Sequence, residues 1–123
     1  MGLDGEAFVK QFLEAWNAHD VDGVMALMTG DCVFEASFGV DAWGTRYTGA
    51  AEVRAGVEEL FRSIPDIRWD GIRHFVCEDH AVVEWTTTGT RPGGVRFEVQ
   101  GCDILTLREG KIAAKRAYRK SAL

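Results

Sequence analysis

The sequence predicts an α+β fold in which three helices near the N-terminus pack on one face of a curved antiparallel sheet. Three observations carry this expectation. Apolar residues recur at helical spacing through the first half of the chain; they alternate with a period of two from Ile67 onward; and short turn sequences divide the alternating runs. Helices first and a strand meander afterwards is the segregation that defines an α+β domain.

Each element has its own signature. Phe8, Phe12, Ala15 and Trp16, widened by Val9 and Leu13, predict an amphipathic helix over about 4–18. Asn17-Ala18-His19-Asp20 reads as a turn. Asp20 then N-caps a short second helix through Val24, Leu27 and Met28, which Thr29-Gly30-Asp31 stops. Residues 32–38 alternate and predict a first strand. A loop holding Gly39, Asp41, Gly44 and Tyr47 follows, and Thr48 is the expected N-cap of a third helix. That helix carries Val53, Val57, Leu60 and Phe61 on one face and ends before Pro65. Strands are expected over 67–77, 81–90, 95–107 and 111–118, joined by Glu78-Asp79-His80, Pro92-Gly93-Gly94 and Glu109-Gly110.

Composition narrows the function classes. At 123 residues the chain is expected to be one domain, 1–123, with room for a single core. A net charge of −5 leaves no electrostatic footprint for nucleic acid. The basic cluster Lys115-Arg116 and Arg119-Lys120 reads as a solvated tail. No apolar run approaches the roughly 20 residues that span a bilayer, and the acidic start, Asp4 and Glu6, does not resemble a signal peptide. Cys32, Cys77 and Cys102 are an odd number without metal-ligand spacing, as expected of small buried hydrophobes in a reducing cytoplasm. The expectation is therefore a cytoplasmic protein with no metal and no cofactor.

One carboxylate stands out. Asp103 lies inside the apolar strand 99–107, in phase with Val99, Gly101, Leu105 and Leu107, on the face expected to be buried. A buried carboxylate must be paired, hydrogen-bonded or neutral, and acids in pockets serve acid–base chemistry. Its neighbours follow from the hairpin. A three-residue loop, Arg108-Glu109-Gly110, pairs Leu107 with Lys111 and sets Asp103 opposite Lys115 and Gly101 opposite Ala117. A two-residue loop, Glu109-Gly110, sets Asp103 opposite Arg116 instead. The first is preferred because it places the glycine where a bulge needs it. In either case a basic residue across from Asp103 would hold the carboxylate ionised.

The run from Phe12 to Gly23, the Tyr47-Thr48-Gly49 entry to the third helix, and the closing strands from Asp103 to Ile112 resemble the nuclear transport factor 2-like superfamily. Ketosteroid isomerase and the SnoaL-like polyketide cyclases belong to it. The resemblance implies a cone-shaped sheet with the helices on its concave face. It also tests activities position by position. Where ketosteroid isomerase has its general base and its oxyanion-hole tyrosine, this chain has Ala36 and Phe12; the second oxyanion donor falls on Asp103. Glu35 neighbours the missing base but points to the opposite face. The Arg–Asp pair and last-strand Asp of epoxide-hydrolase relatives are replaced by Glu84-Trp85-Thr86 and Ala117. Authentic ketosteroid isomerase or epoxide hydrolase activity is therefore not expected. SnoaL-like cyclases are similar in using a deep Asp, a role open to Asp103, although their Gly-Thr-His run is here Gly89-Thr90-Arg91.

The resemblance implies a pocket lined by Phe12, Trp16, Phe34, Ala36, Phe38, Tyr47, Trp85 and Val99, with Asp103 as its catalytic acid or base and Trp43 near the mouth. His74 is a further acid–base candidate; His19 and His80 fall in turns and are expected to be exposed. The expected partner is a small hydrophobic or cyclic molecule. The expected function is a cofactor-independent isomerase- or cyclase-like proton transfer, against a non-catalytic hydrophobic-ligand or dimerisation domain of the same fold. Ile104 points away from Asp103 and needs cover, so a homodimer through the sheet is also expected.

Overall fold

A computed structural model describes residues 4–121. The first helix, α1 (Gly5–Asn17), is capped by Asp4, whose carboxylate accepts from the Ala7 N–H at 3.1 Å, and buries Phe8, Val9, Phe12 and Trp16. The short α2 (Val21–Ala26) is capped by Asp20 through the Gly23 N–H at 3.0 Å. The strand β1 (Met28–Glu35) begins four residues earlier than the sequence suggests. Thr29-Gly30-Asp31 thus ends the helix by starting a strand.

The expected loop after β1 contains a short strand, β2 (Arg46–Thr48), which pairs antiparallel with β1 and sets Tyr47 opposite Phe34. The third helix, α3 (Ala50–Ser63), is entered through Gly49, at φ 86°, and not through a Thr48 cap; the Thr48 N–H instead donates to Glu52 Oε1 at 3.0 Å. Four strands complete the fold: β3 (Arg68–Val76), β4 (His80–Thr90), β5 (Arg96–Arg108) and β6 (Lys111–Arg119).

The sheet order is β2-β1-β6-β5-β4-β3. β3 to β6 form the expected antiparallel meander, but β1 and β6 run parallel, so the sheet is mixed and not wholly antiparallel. The cause is topological. α3 carries the chain from one edge of β1 to the far end of the sheet, and the four-strand meander returns β6 beside β1 in the same direction. Register shifts between Gly71 and Arg73, Thr106 and Leu107, and Met28 and Val33 mark irregularities that bend the sheet around the helices. This is the α+β cone.

The core lies between the helices and the inner sheet face, where Val53, Val57, Leu105 and Ile112 are almost fully buried. Each such side chain contributes about 1.5–3 kcal/mol relative to exposure. On the outer face Cys102, Ile104 and Thr106 are half-buried, and Phe75 and Tyr118 are exposed. Among the described residues no helix is long and apolar enough to cross a membrane.

Candidate functional site

The β5–β6 hairpin sets the site. Arg108 pairs with Lys111, leaving the two-residue turn Glu109-Gly110 with φ values of 52° and 78°, the left-handed pair of a tight hairpin. The expected three-residue loop is therefore corrected. The two-residue count is also displaced, because Ala113 is an extra residue on β6 and Thr106 faces Ala114. Asp103 consequently lies opposite Ala117, Leu105 opposite Lys115, and Gly101 opposite Arg119.

Lys115 nevertheless reaches Asp103 diagonally. Its Nζ lies 3.0 Å from Asp103 Oδ1, with both side chains about 95% buried. Oδ1 faces the ammonium as an ion pair, off the direction of a hydrogen bond, whereas Oδ2 accepts from Trp85 Nε1 at 2.9 Å. The ammonium also sits 4.3 Å from the ring centre of Trp16 and 4.6 Å from that of Phe34. Aromatic faces and a carboxylate together replace the water that a buried ammonium loses. Lys115, Arg116 and Arg119 thus belong to the strand β6 and not to a solvated tail, with Lys120 exposed just beyond it; a single irregularity turns Lys115 inward.

Beyond Lys115 a cavity of about 290 Å³ opens between α3 and the sheet. Phe34, Ala36 and Phe38 border it from β1 and the segment that follows, Tyr47 from β2, and Trp85 with Thr87 from β4. The Tyr47 ring stacks on Phe34 with centroids 5.7 Å apart. It fits because position 56 is glycine: a Cβ there would come within 2.8 Å of the ring. The helix contributes Glu59, Leu60, Ser63 and Ile64, β6 contributes Lys115, Ala117 and Arg119, and Ile67 and Trp69 close the side.

Five of the eight pocket residues proposed from sequence, Phe34, Ala36, Phe38, Tyr47 and Trp85, surround this space, with Phe38 largely exposed at its rim. Phe12 and Trp16 lie in the core behind it, and Val99 is half-buried on the inner face outside the lining. Asp103 does not line the cavity; Lys115 and Trp85 stand between. Trp43 borders a separate depression, with Arg46 4.4 Å from its ring centre. His74 is exposed and outside the lining. His19 is half-buried, against expectation: its ring stacks on Phe61 at 4.2 Å and Nε2 lies 2.8 Å from the Ile67 carbonyl. Glu35 points to the outer face, where it pairs with Arg46 at 2.8 Å and Arg116 at 3.8 Å.

Sequence reasoning did not place the α3 residues or Arg119 in the lining. The helical spacing Gly56, Leu60, Ser63, Ile64 runs beside the core stripe Val53, Val57, Phe61, and its small residues could have marked the face that leaves space. The cavity wall is apolar and aromatic, with Lys115 and Arg119 as cations and Glu59 as the carboxylate at its border; Glu59 is engaged by Arg62 and by Ser63 Oγ at 2.9 Å. Among the described residues no group of three His, Cys, Asp or Glu side chains could hold a metal ion. The arrangement can bind a small ring system and donate hydrogen bonds to its oxygens.

Similarity to known proteins agrees with this architecture. No curated protein sequence matches the chain. Among solved structures, a protein from Pseudomonas putida provisionally assigned as a polyketide cyclase is 21% identical with a TM-score of 0.80, over 99% of this chain and 94% of its own. TerC, crystallised with polyporic acid, is 16% identical with a TM-score of 0.79, over 94% and 90%. A protein of ketosteroid isomerase-like fold from Catenulispora acidiphila, in complex with trimethylamine, is 18% identical with a TM-score of 0.76, over 100% and 88%. The model of the SnoaL-like domain matches residues 9–115. With that match over most of its length, the chain belongs to the SnoaL-like domain family.

Proposed function

We propose that the domain binds a small cyclic, oxygen-bearing molecule in the α3-side cavity and carries out a cofactor-independent, isomerase- or cyclase-like proton transfer on it. The observation that supports this reading is the buried Lys115 ammonium, backed by Asp103 at 3.0 Å and bordering an aromatic cavity. An ammonium in a low-dielectric site stabilises negative charge on a ligand carbonyl oxygen as it develops. Lys115 can hand a proton to that oxygen, and the resulting amine can take a proton from the adjacent carbon. The lysine is then recharged and the ligand is an enol. Asp103 acts through Lys115 in this scheme, as the counter-ion that holds the ammonium in place at 3.0 Å.

The test is deuterium incorporation from heavy water into mono- and bicyclic ketones such as 2-tetralone, followed by NMR. The protein should accelerate exchange, and Lys115→Met combined with Asp103→Asn, which removes both charges together, should slow it by about 10²–10⁴-fold. Exchange that is unchanged in the double variant would remove Lys115 from the chemistry.

A second reading, a non-catalytic ligand-binding domain, is favoured by one feature. Asp103 has its oxygens committed to Trp85 and Lys115 and does not border the cavity. Ketones that bind without exchanging would decide for it. The structural relatives hold an acid in one case and an amine in another, so the cavity's own groups carry the choice of ligand.

Two further features belong to this proposal. A second copy would cover the outer sheet face around Ile104, Phe75 and Tyr118, and molecular mass in solution tests that pairing. The three cysteines are unpaired, as suits a reducing compartment such as the cytoplasm.

A further inference from the structure

Arg119 borders the cavity, and among the described residues it lies within ion-pair distance of no carboxylate. Its neighbour is a second cation. Arg91 and Arg119 approach the Phe97 ring with guanidinium carbons 5.5 and 5.6 Å from its centre, and Arg91 also has no ion pair among the described residues. Partial burial, and then the charge of Arg91, push the Arg119 guanidinium down from its ordinary value. Two unneutralised cations beside one ring repel each other, and an anion between them or against Arg119 would relieve that.

The other charges at the cavity are already balanced. Lys115 is matched by Asp103, and Glu59 by Arg62. Arg119 also edges the depression beside Trp43, where the carboxylate, Glu35, is held by Arg46 and Arg116. Arg119 and Lys115 share the inner face of β6 four residues apart, roughly 13 Å between backbones at the usual strand rise. A fused ring system lying along the strand would bring one end to each.

We propose that Arg119, assisted by Arg91, is the anion-recognition point of this cavity, and that the ligand is a cyclic molecule bearing a carboxylate at the end away from Lys115. This rests on the cavity being a ligand site, and it adds the ligand's chemical class. A planar guanidinium offers two parallel N–H donors to a carboxylate, which a neutral ester cannot match.

A matched pair of probes tests it: 2-naphthoate and methyl 2-naphthoate, titrated against the whole protein by tryptophan fluorescence, since Trp69 and Trp85 line the cavity. The acid should bind about tenfold or more tighter than the ester, the difference that one charged hydrogen bond supplies. Arg119→Gln should bring the acid down to about the ester's affinity while the ester's own affinity changes far less, so that retained ester binding reports a folded pocket. Arg91→Gln should reduce the preference partway. Equal affinities in the unmodified protein, or an acid preference that survives Arg119→Gln, would overturn the anion assignment alone. Binding of neither probe at millimolar concentration would overturn it together with the ligand-cavity reading.

Discussion

Asp103 and Lys115 are offset by two positions across β5 and β6, yet their charged atoms meet 3.0 Å apart inside the fold. Diagonal neighbours on one sheet face lie within reach of long side chains, and the aromatic faces of Trp16 and Phe34 steer the ammonium toward the carboxylate. The pair joins the catalytic candidate read from sequence to the cavity found in the structure.

Its energetics give a prediction with a change of sign. Lys115→Met leaves Asp103 buried with Trp85 as its remaining partner and should cost about 3–5 kcal/mol, the usual result of stranding one buried charge. Asp103→Asn in the unmodified protein should also destabilise, because it strands Lys115. Added to Lys115→Met, however, Asp103→Asn should restore stability, since the amide oxygen still accepts from Trp85 Nε1 and no charge remains. Denaturant unfolding of the four proteins measures this. Additive losses would mean that the two residues are not coupled.

The sequence carried the inward phase of Asp103, the basic neighbourhood around it and the order of the elements, because period-two alternation and turn residues are local properties. What it missed depends on contacts far apart in the chain. The irregularity at Ala113 shifts the register by one and turns Lys115 inward, and no residue type at 113 announces it. β2 is three residues long and is a strand because β1 is beside it. Phe12 and Trp16 carry the same apolar signature whether they line a cavity or fill a core; which they do depends on where α3 lies. Arg119 reads as a surface charge until Gly101 is found opposite it.

Asn17 should prove a structural anchor. Its side chain donates from Nδ2 to the Trp69 carbonyl and accepts from the Trp69 N–H through Oδ1, both at 2.8 Å, tying the end of α1 to β3. Asn17→Ala should cost about 1–3 kcal/mol by leaving these backbone groups unpaired. Asn17→Asp should cost more, because it keeps an acceptor facing the N–H but sets a charged oxygen against the carbonyl. Because Trp69 borders the cavity, both variants should also weaken ligand binding, which fluorescence titration reads. An aspartate variant as stable as the native protein would show that the amide does not hold the strand.

The cysteines should separate by reactivity. Cys77 is exposed, Cys102 half-buried and Cys32 buried. Burial pushes the Cys32 thiol up, and burial followed by the nearby Asp103 charge does the same for Cys102. A thiol reagent at mildly alkaline pH should therefore label Cys77 first and Cys102 slowly, with Cys32 reacting only as the protein unfolds. Mass spectrometry of timed samples gives the order, and early labelling of Cys32 would contradict the packing under α3.

Acid should loosen the connection between α3 and the strands beside the cavity. The Thr90 hydroxyl at 2.7 Å, then the Thr90 N–H at 2.9 Å, hold the Asp66 carboxyl below the usual carboxylate range, and Arg96 lies 3.6 Å away. A depressed folded-state value means that this contribution is complete above the ordinary carboxylate range. It is lost as pH falls through the lower folded value. Thr90→Val removes the largest of these interactions and keeps the backbone N–H. The variant should therefore be less stable than the parent near neutrality, and the gap should close progressively on the acid side as Asp66 becomes protonated in both proteins. Thermal melts over a pH series check this, and a gap that stays constant into strong acid would assign the Thr90 contribution to packing and not to the carboxylate.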